Sequence, residues 1–408
     1  MNRLPHLAVV TIGLLATACG SDGPWVRAVD RSVTVTSTAP APTTIDAQQL
    51  DAYSLIEALA SDAMGGRDNQ SQGSLDAQAL IVGQLEQFAQ PALRDGYLQP
   101  FALGSNIVGV IPGGDLADEY VIIGAHYDHV GSNCVSDDPA DQICNGATDN
   151  ASGVATVISI ARAIAAEGTP RRSVLIALWD AEEDGLLGSA AYVANPVIPL
   201  SQTVVYLNFD IQGATVLPSL ANLTIAIGAE SGGQALAQAA TEAMAASTLR
   251  PVLLNSFLFE GRSDHSNFAQ RGVPAMLFTD AAGGCYHTAQ DDIDIVDFAK
   301  LAQQVELGSA LVRELVAADA SPQNDPAAPN LVFADAVALL NVAELSETDL
   351  ALLSPAAAAQ VQQFSEDLRA IVGRGADAFD GATAATVLSG VDQFLESLTE
   401  STCASFTA

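Results

Sequence analysis

The chain predicts an α/β fold, with a mostly parallel, mixed central sheet covered by helices on both faces and a C-terminal helical extension. Three observations carry that expectation. Short runs rich in Val and Ile alternate with helix-length segments of helical periodicity. Acidic and histidine residues recur just beyond the ends of those runs. An Ala- and Leu-rich tail follows a polar, Pro-containing break at 319–331.

Taken in order, residues 1–19 have the shape of a secretory signal: Arg3, an apolar stretch from Leu7 to Leu15, then small residues up to Cys19. That core is too short to span a bilayer. The end, LLATAC, is similar to a bacterial lipoprotein box, except that Ala16 stands where Leu or Val is usual. Lipidation of Cys19 would attach the chain to a membrane, and the localisation expected is the bacterial cell envelope or the outside of the cell. Residues 20–45 are rich in Ser, Thr, Pro and Ala and read as a flexible tether. Helices are expected over Asp46–Ser61 and Leu75–Gln90, the second with Leu75, Ile81, Leu85 and Phe88 at helical spacing. Strands follow at Ile107–Ile111, Tyr120–Ala125, Ser173–Trp179, Thr203–Phe209, Leu223–Ile227 and Val273–Phe278. The helices between and after them are Ala151–Ala166, Leu187–Ala194, Gly233–Ala246 and Ile293–Val316. The expected main domain therefore covers 46–318, with a linker at 319–331 and an Ala-rich helical extension over 332–408. Stops near Ser354-Pro355 and Gly373–Gly375 divide that extension into several helices.

Composition narrows the function classes. Across 408 residues, 15 Lys and Arg face 48 Asp and Glu, a formal charge of −33, and Lys300 is the one lysine. So few cations argue against nucleic-acid binding, which needs a phosphate-contacting surface. The acidity reads first as a solubilising surface and second as an attraction for cationic substrates. With Cys19 set aside, Cys134, Cys144, Cys285 and Cys403 remain, which allows two disulfides by three pairings. Cys134 and Cys144 bracket an acidic loop and form the first expected pair. Cys285 with Cys403 would tie the tail to the site.

The chemistry lies in an ordered set: His126, Asp149, Glu182-Glu183, Asp210 and His287. Their contexts are AHYDH, GATDNASG, DAEEDGLLGS, YLNFDIQG and CYHT. In open α/β sheets, ligands bind beyond the carboxyl ends of the strands, so residues from several strand ends converge there. A co-catalytic metal pair needs about four ligands plus one shared carboxylate, with the ions roughly 3.5–4 Å apart. His126, His287, Asp149, Glu183 and Asp210 supply that count. Glu182 is then left to act as a general base on a metal-activated water. Asp128, on the same strand face as His126, is placed to accept the other imidazole N–H. His129 and His265 read as surface or core histidines and stay outside the metal set.

The chain resembles the co-catalytic di-zinc aminopeptidase family, whose relatives include aminopeptidase Y, glutamate carboxypeptidase II and glutaminyl cyclase. The resemblance runs over about 54–315, from LASDAMGGR through NIVGVIPG and VIIGAHYDHVG to SDHSNFAQRGVPA and YHTAQDDID. It implies a zinc-peptidase fold and two zinc ions per chain, one held by His126, Asp149 and Asp210 and one by Asp149, Glu183 and His287. Asp149 would bridge them, Glu182 would be the general base and Asp128 the partner of His126. The segment between Arg67 and Asn106 is too short for the protease-associated domain that some members carry. The function implied is a metallo-exopeptidase, an aminopeptidase that hydrolyses peptides with a free N-terminus by a metal-bridging water. Glutaminyl cyclase chemistry is one alternative. A carboxypeptidase or dipeptidase on the same metals is another, with Arg262 either its carboxylate anchor or a structural ion pair. Phe257, Leu258, Phe259 and Phe268 suggest an apolar N-terminal residue if they lie near the site, and core otherwise.

Overall fold

A computed structural model describes residues 49–132, 134–136, 139–326 and 330–404. The signal-like segment, Cys19 and the tether lie outside the described residues. Helices α1 (Ala52–Leu59) and α2 (Gln72–Leu85) start at Asp51 and Ser71, whose side chains accept from the amides of Ser54 and Ser74. Then come β1 (Gln90–Pro91), β2 (Leu98–Phe101), β3 (Gly104–Ile111) and β4 (Leu116–His126), followed by α3 (Ser152–Ala166), β5 (Arg172–Trp179), α4 (Leu187–Ala194) and β6 (Thr203–Phe209). Next are β7 (Leu223–Ile227), α5 (Gly233–Ala245), β8 (Arg250–Leu254), α6 (His265–Ala269), β9 (Ala275–Thr279) and α7 (Phe298–Ala317). The C-terminal helices are α8 (Phe333–Ser346), α9 (Pro355–Gly373) and α10 (Gly381–Thr399). Strands β1, β2 and β8 and the short α6 were not anticipated from sequence. They are short or carry Pro91, Pro100 and Pro251, which weakens a strand signal.

The sheet runs β1-β3-β5-β4-β6-β9-β7-β8, with β2 also paired to β3. Its centre, β5-β4-β6-β9, is parallel. The flanks mix: β3 runs antiparallel to β5, β7 antiparallel to β9, and β8 parallel to β7. Alternate residues of a strand point to opposite faces. Val121 and Ile123 of β4 thus join a core with α1, α2, α3, α5 and α7, while Ile122 packs with Trp179, Tyr192 and Phe268 on the other face. Burial on both sides explains why β4 reads as an unbroken apolar run.

The C-terminal helices complete the second face. Ile225 and Ile227 of β7 and Leu277 of β9 pack with Leu339, Val361, Phe364, Leu368, Val391 and Phe394 of α8–α10. Among the described residues, no helix is long and apolar enough to cross a membrane.

Candidate metal centre

The site lies where the parallel strands end. His126 closes β4, Asp210 follows β6 directly, and Glu182 and Glu183 lie in the turn after β5. Asp149 sits in the turn Ala147–Ala151 ahead of α3, and His287 in the loop between β9 and α7. These loops are held in uncommon conformations. Ala181, Ile211 and His287 all have left-handed φ between +54 and +58°, and for a β-branched residue such as Ile211 that is costly. The Asp149–Asn150 peptide bond is cis.

Distances show which side chains the fold brings together. The Nε2 of His126 lies 3.2 Å from Asp149 Oδ1 and 3.3 Å from Asp210 Oδ1. The Nε2 of His287 lies 3.2 Å from Asp149 Oδ2 and 3.0 Å from Glu183 Oε2. Asp149 thus faces one histidine with each oxygen. Seen as candidate ligand clusters, His126, Glu182 and Asp210 offer atoms within 4.8 Å of one another, as do His129, Asp149, Glu183 and His287.

His129 is the residue that sequence reasoning set aside. Its Nδ1 lies 2.9 Å from Glu183 Oε1 and 3.8 Å from Asp149 Oδ2. Its Nε2 is buried and has no hydrogen-bond partner among the described residues. Its only sequence signal was its place three residues after His126, in a segment already crowded with polar groups. His265, also set aside, is buried outside both clusters, and burial pushes its imidazole pKa down to about 4.

Asp128 acts mainly on the neighbouring turn. Its carboxylate accepts the amides of Glu182 and Glu183 at 3.1 and 3.2 Å. The Nδ1 of His126 lies 3.2 Å from the Asp128 backbone carbonyl and 3.6 Å from its carboxylate. Other supports were not read from sequence at all. Asp291 accepts the Thr148 hydroxyl and the amides of Thr148 and Asp149, which fixes the Asp149 turn. The Arg67 guanidinium donates to the carbonyls of Leu59, Tyr127, Asn145 and Gly146 and so joins the end of α1 to two loops. A buried relay leads to Asp210: Trp179 Nε1 donates to Tyr206, Tyr206 to Asn208, Asn208 to Ser263, and Ser263 to Asp210 Oδ2, each at 2.6 or 2.7 Å. Every donor in it points toward the carboxylate, so the bonds reinforce one another.

The electrostatics are those of a buried negative excess. Burial disfavours charge on His126, yet Asp210 and Glu182 hold its pKa well above the usual value. His287 is likewise raised to about 10 by Glu183 and Asp149 against the cost of burial. Burial and the carboxylates of Asp264, Asp210 and Glu183 push Glu182 well up, despite His126. Glu183 moves the other way, to about 2: burial and Asp149 oppose its charge, and His287 and His129 favour it more strongly. Burial lowers Arg67 to about 10, although the acidic centre around it favours its charge.

These residues fit a metal. Each histidine Nε2 meets two carboxylate oxygens at nearly equal distance, and one N–H cannot serve both well. Buried carboxylates in this number call for cations. Two imidazoles and three carboxylates form a donor set suited to zinc.

Of the four apolar residues considered for specificity, three lie in the cores and Phe257 is exposed. Phe268 is in the core with Trp179, and Leu258 and Phe259 pack with the C-terminal helices. Arg262 pairs with Asp392 of α10. Cys134 bonds to Cys144 and Cys285 to Cys403.

Comparison with known proteins gives a consistent picture. Residues 106–312 match peptidase family M28. Leupeptin-inactivating enzyme 1 of Streptomyces exfoliatus is 26% identical over 316 residues, which cover 74% of this chain and 60% of that protein. The chain therefore spans less than two thirds of that relative. The LapA aminopeptidase of Legionella pneumophila has a similar fold, with 19% identity and a TM-score of 0.51 over 65% of this chain and 72% of that one. So does a glutaminyl cyclase of Porphyromonas gingivalis, with 19% identity and a TM-score of 0.52 over 65% of this chain and 97% of that one.

Proposed function

The chain belongs to peptidase family M28, and on that premise we propose that it is a zinc-dependent aminopeptidase that removes N-terminal residues from peptides. The observation that carries the reading is Asp149, whose two oxygens face His126 and His287 at 3.2 Å each. Zinc would be held there by His126, Asp149, Glu183, Asp210 and His287. Zinc there would supply Lewis-acid polarisation of the scissile carbonyl and would acidify water.

The chain's own residues do the rest. Glu182, whose raised pKa makes its carboxylate the stronger base of the adjacent pair, would act in ionised form, taking a proton from the attacking water and returning it to the departing amine. Asp128 steadies the turn by accepting the amides of both glutamates. The acidic surroundings attract the α-ammonium group of a peptide with a free N-terminus. Arg262, the candidate carboxylate anchor for a carboxypeptidase, pairs with Asp392 of α10, which favours the structural ion-pair reading of that residue. Two disulfides support export to an oxidising compartment, with lipidation at Cys19 as the proposed anchor.

The test is hydrolysis of aminoacyl-p-nitroanilides with chelator and then with zinc restored. Activity lost and regained in step with about two zinc ions per chain is the expected result. Release of ammonia from N-terminal glutaminyl peptides, with no amide cleavage, would move the assignment to cyclase chemistry.

A further inference from the structure

His129 follows β4 by three residues, and no step of the proposed hydrolysis uses it. Its side chain is fully buried, and two contacts fix where the ring lies. The amide of His129 donates to the Arg67 carbonyl at 3.3 Å. The ring packs against Gly146, where a Cβ would stand 2.6 Å from both Cγ and Cδ2 of the imidazole. Only a glycine leaves room for the imidazole at that point.

A buried imidazole has two nitrogens to satisfy. Nε2 has no hydrogen-bond partner among the described residues. Nδ1 lies 2.9 Å from Glu183 Oε1, while Asp149 Oδ2, at 3.8 Å, is beyond hydrogen-bond range. Burial and Asp149 oppose charge on Glu183, but His287 and His129 outweigh them and hold its pKa at about 2. The carboxylate is therefore an acceptor only, so the shared hydrogen belongs to Nδ1 and the bond is charge-assisted.

Two consecutive residues thus grip Glu183 from both ends. Asp128 accepts its backbone amide at 3.2 Å, and His129 donates to its carboxylate. His287 does not distinguish the two oxygens, since its Nε2 lies 3.1 Å from Oε1 and 3.0 Å from Oε2. His129 does, because it engages Oε1 and leaves Oε2 toward His287.

We propose that His129 is a positioning residue of the metal centre: its Nδ1–H holds Glu183 Oε1, so that Glu183 presents Oε2 to zinc in a fixed orientation. The proposal rests on the zinc reading of the site and deepens it. A hydrogen-bond donor to a metal-binding carboxylate sets metal affinity, on the scale of about 10–100-fold. Asparagine can replace that donor, because its Nδ2 stands as many bonds from Cα as the histidine Nδ1. Glutamine places its amide nitrogen nearer the position of Nε2, which has no partner to lose.

The full chain and its His129→Leu, His129→Asn and His129→Gln variants are compared by zinc competition with a chelating dye. Thermal unfolding of the metal-free proteins reports whether each is folded. His129→Leu should weaken the binding of at least one zinc by about 10–100-fold. His129→Asn should recover most of that loss, and His129→Gln should behave like His129→Leu. A role in packing alone would not separate asparagine from glutamine. Unchanged zinc affinity in a folded His129→Leu protein overturns the proposal and leaves the aminopeptidase reading intact. Equal loss in all three variants also overturns it, and makes His129 a direct ligand. If His129→Leu fails to fold, the comparison of His129→Asn with His129→Gln decides the matter. A wild type that takes up no zinc overturns both the proposal and the reading beneath it.

Discussion

Glu182 and Glu183 are adjacent in sequence, yet their surroundings pull them apart. Glu183 meets His129 and His287, whereas Glu182 faces the carboxylates of Asp264 and Asp210. The same residue type therefore suits two tasks, charge donation and proton transfer. Glu182→Gln keeps the shape and removes the base, so kcat should fall by about 10²–10⁴ while bound zinc, measured by atomic absorption, stays unchanged. His265 offers a stability test away from the ligands. Its folded pKa is depressed to about 4 against about 6.5 when unfolded, so between those values the unfolded chain binds a proton that the folded chain does not. Its contribution is present above pH 6.5 and is lost as pH falls toward 4. Urea unfolding at pH 7.5 and 4.5 should show the wild type losing on the order of 3 kcal/mol relative to His265→Phe across that range. Equal pH dependence in the two proteins would disprove the assignment.

Among the elements, loops hold the chemistry and the sheet holds the loops. Both disulfides brace the segment that carries His287. Cys285 lies two residues before it, and Val135, next to Cys134, exchanges backbone hydrogen bonds with His287 and Ala289 at 3.1 and 3.0 Å. Arg67 braces the end of α1 against two loops. Arg67→Met would leave four buried carbonyls without their donor and the acidic centre without its buried cation. Chemical denaturation should report a loss of about 3–5 kcal/mol. Close packing sets a further limit where α7 crosses α3 and the end of β6. A Cβ on Gly308 would stand 2.5 Å from Ile160 Cδ1 and 3.1 Å from the Phe209 ring. Alanine improves helix propensity by about 1 kcal/mol, while overpacking costs about 1–3 kcal/mol. Packing should win, and Gly308→Ala should lower the melting temperature.

For the whole molecule, the sheet has more face than the family-matched region covers. The match ends at residue 312, and α8–α10 then cover β7 and the adjoining part of β9. Truncation after residue 331 would expose Leu223, Ile225, Ile227, Leu254 and Leu277 and leave Cys285 without its partner. Such a contiguous apolar patch drives association. The truncated chain should aggregate on size-exclusion chromatography, and a soluble, active product would show that the helices are dispensable.

Sequence by itself determined the strand–helix alternation, the position of His126, Glu182, Glu183 and Asp210 at strand ends, and the division of the tail into helices. All three are local: they follow from periodicity, from Gly and Pro punctuation, and from the rule that parallel strands deliver their carboxyl ends to one edge. Tertiary structure alone decided the partners. His129 carries no local mark that separates it from a core histidine, and only the meeting of β4 with the Glu183 turn puts it in the cluster. The relay from Trp179 to Asp210 joins residues spread from 179 to 263, and the Cys285–Cys403 disulfide ties the tail to the His287 loop across a separation of 118. Such pairings depend on how distant elements pack, which no local pattern encodes.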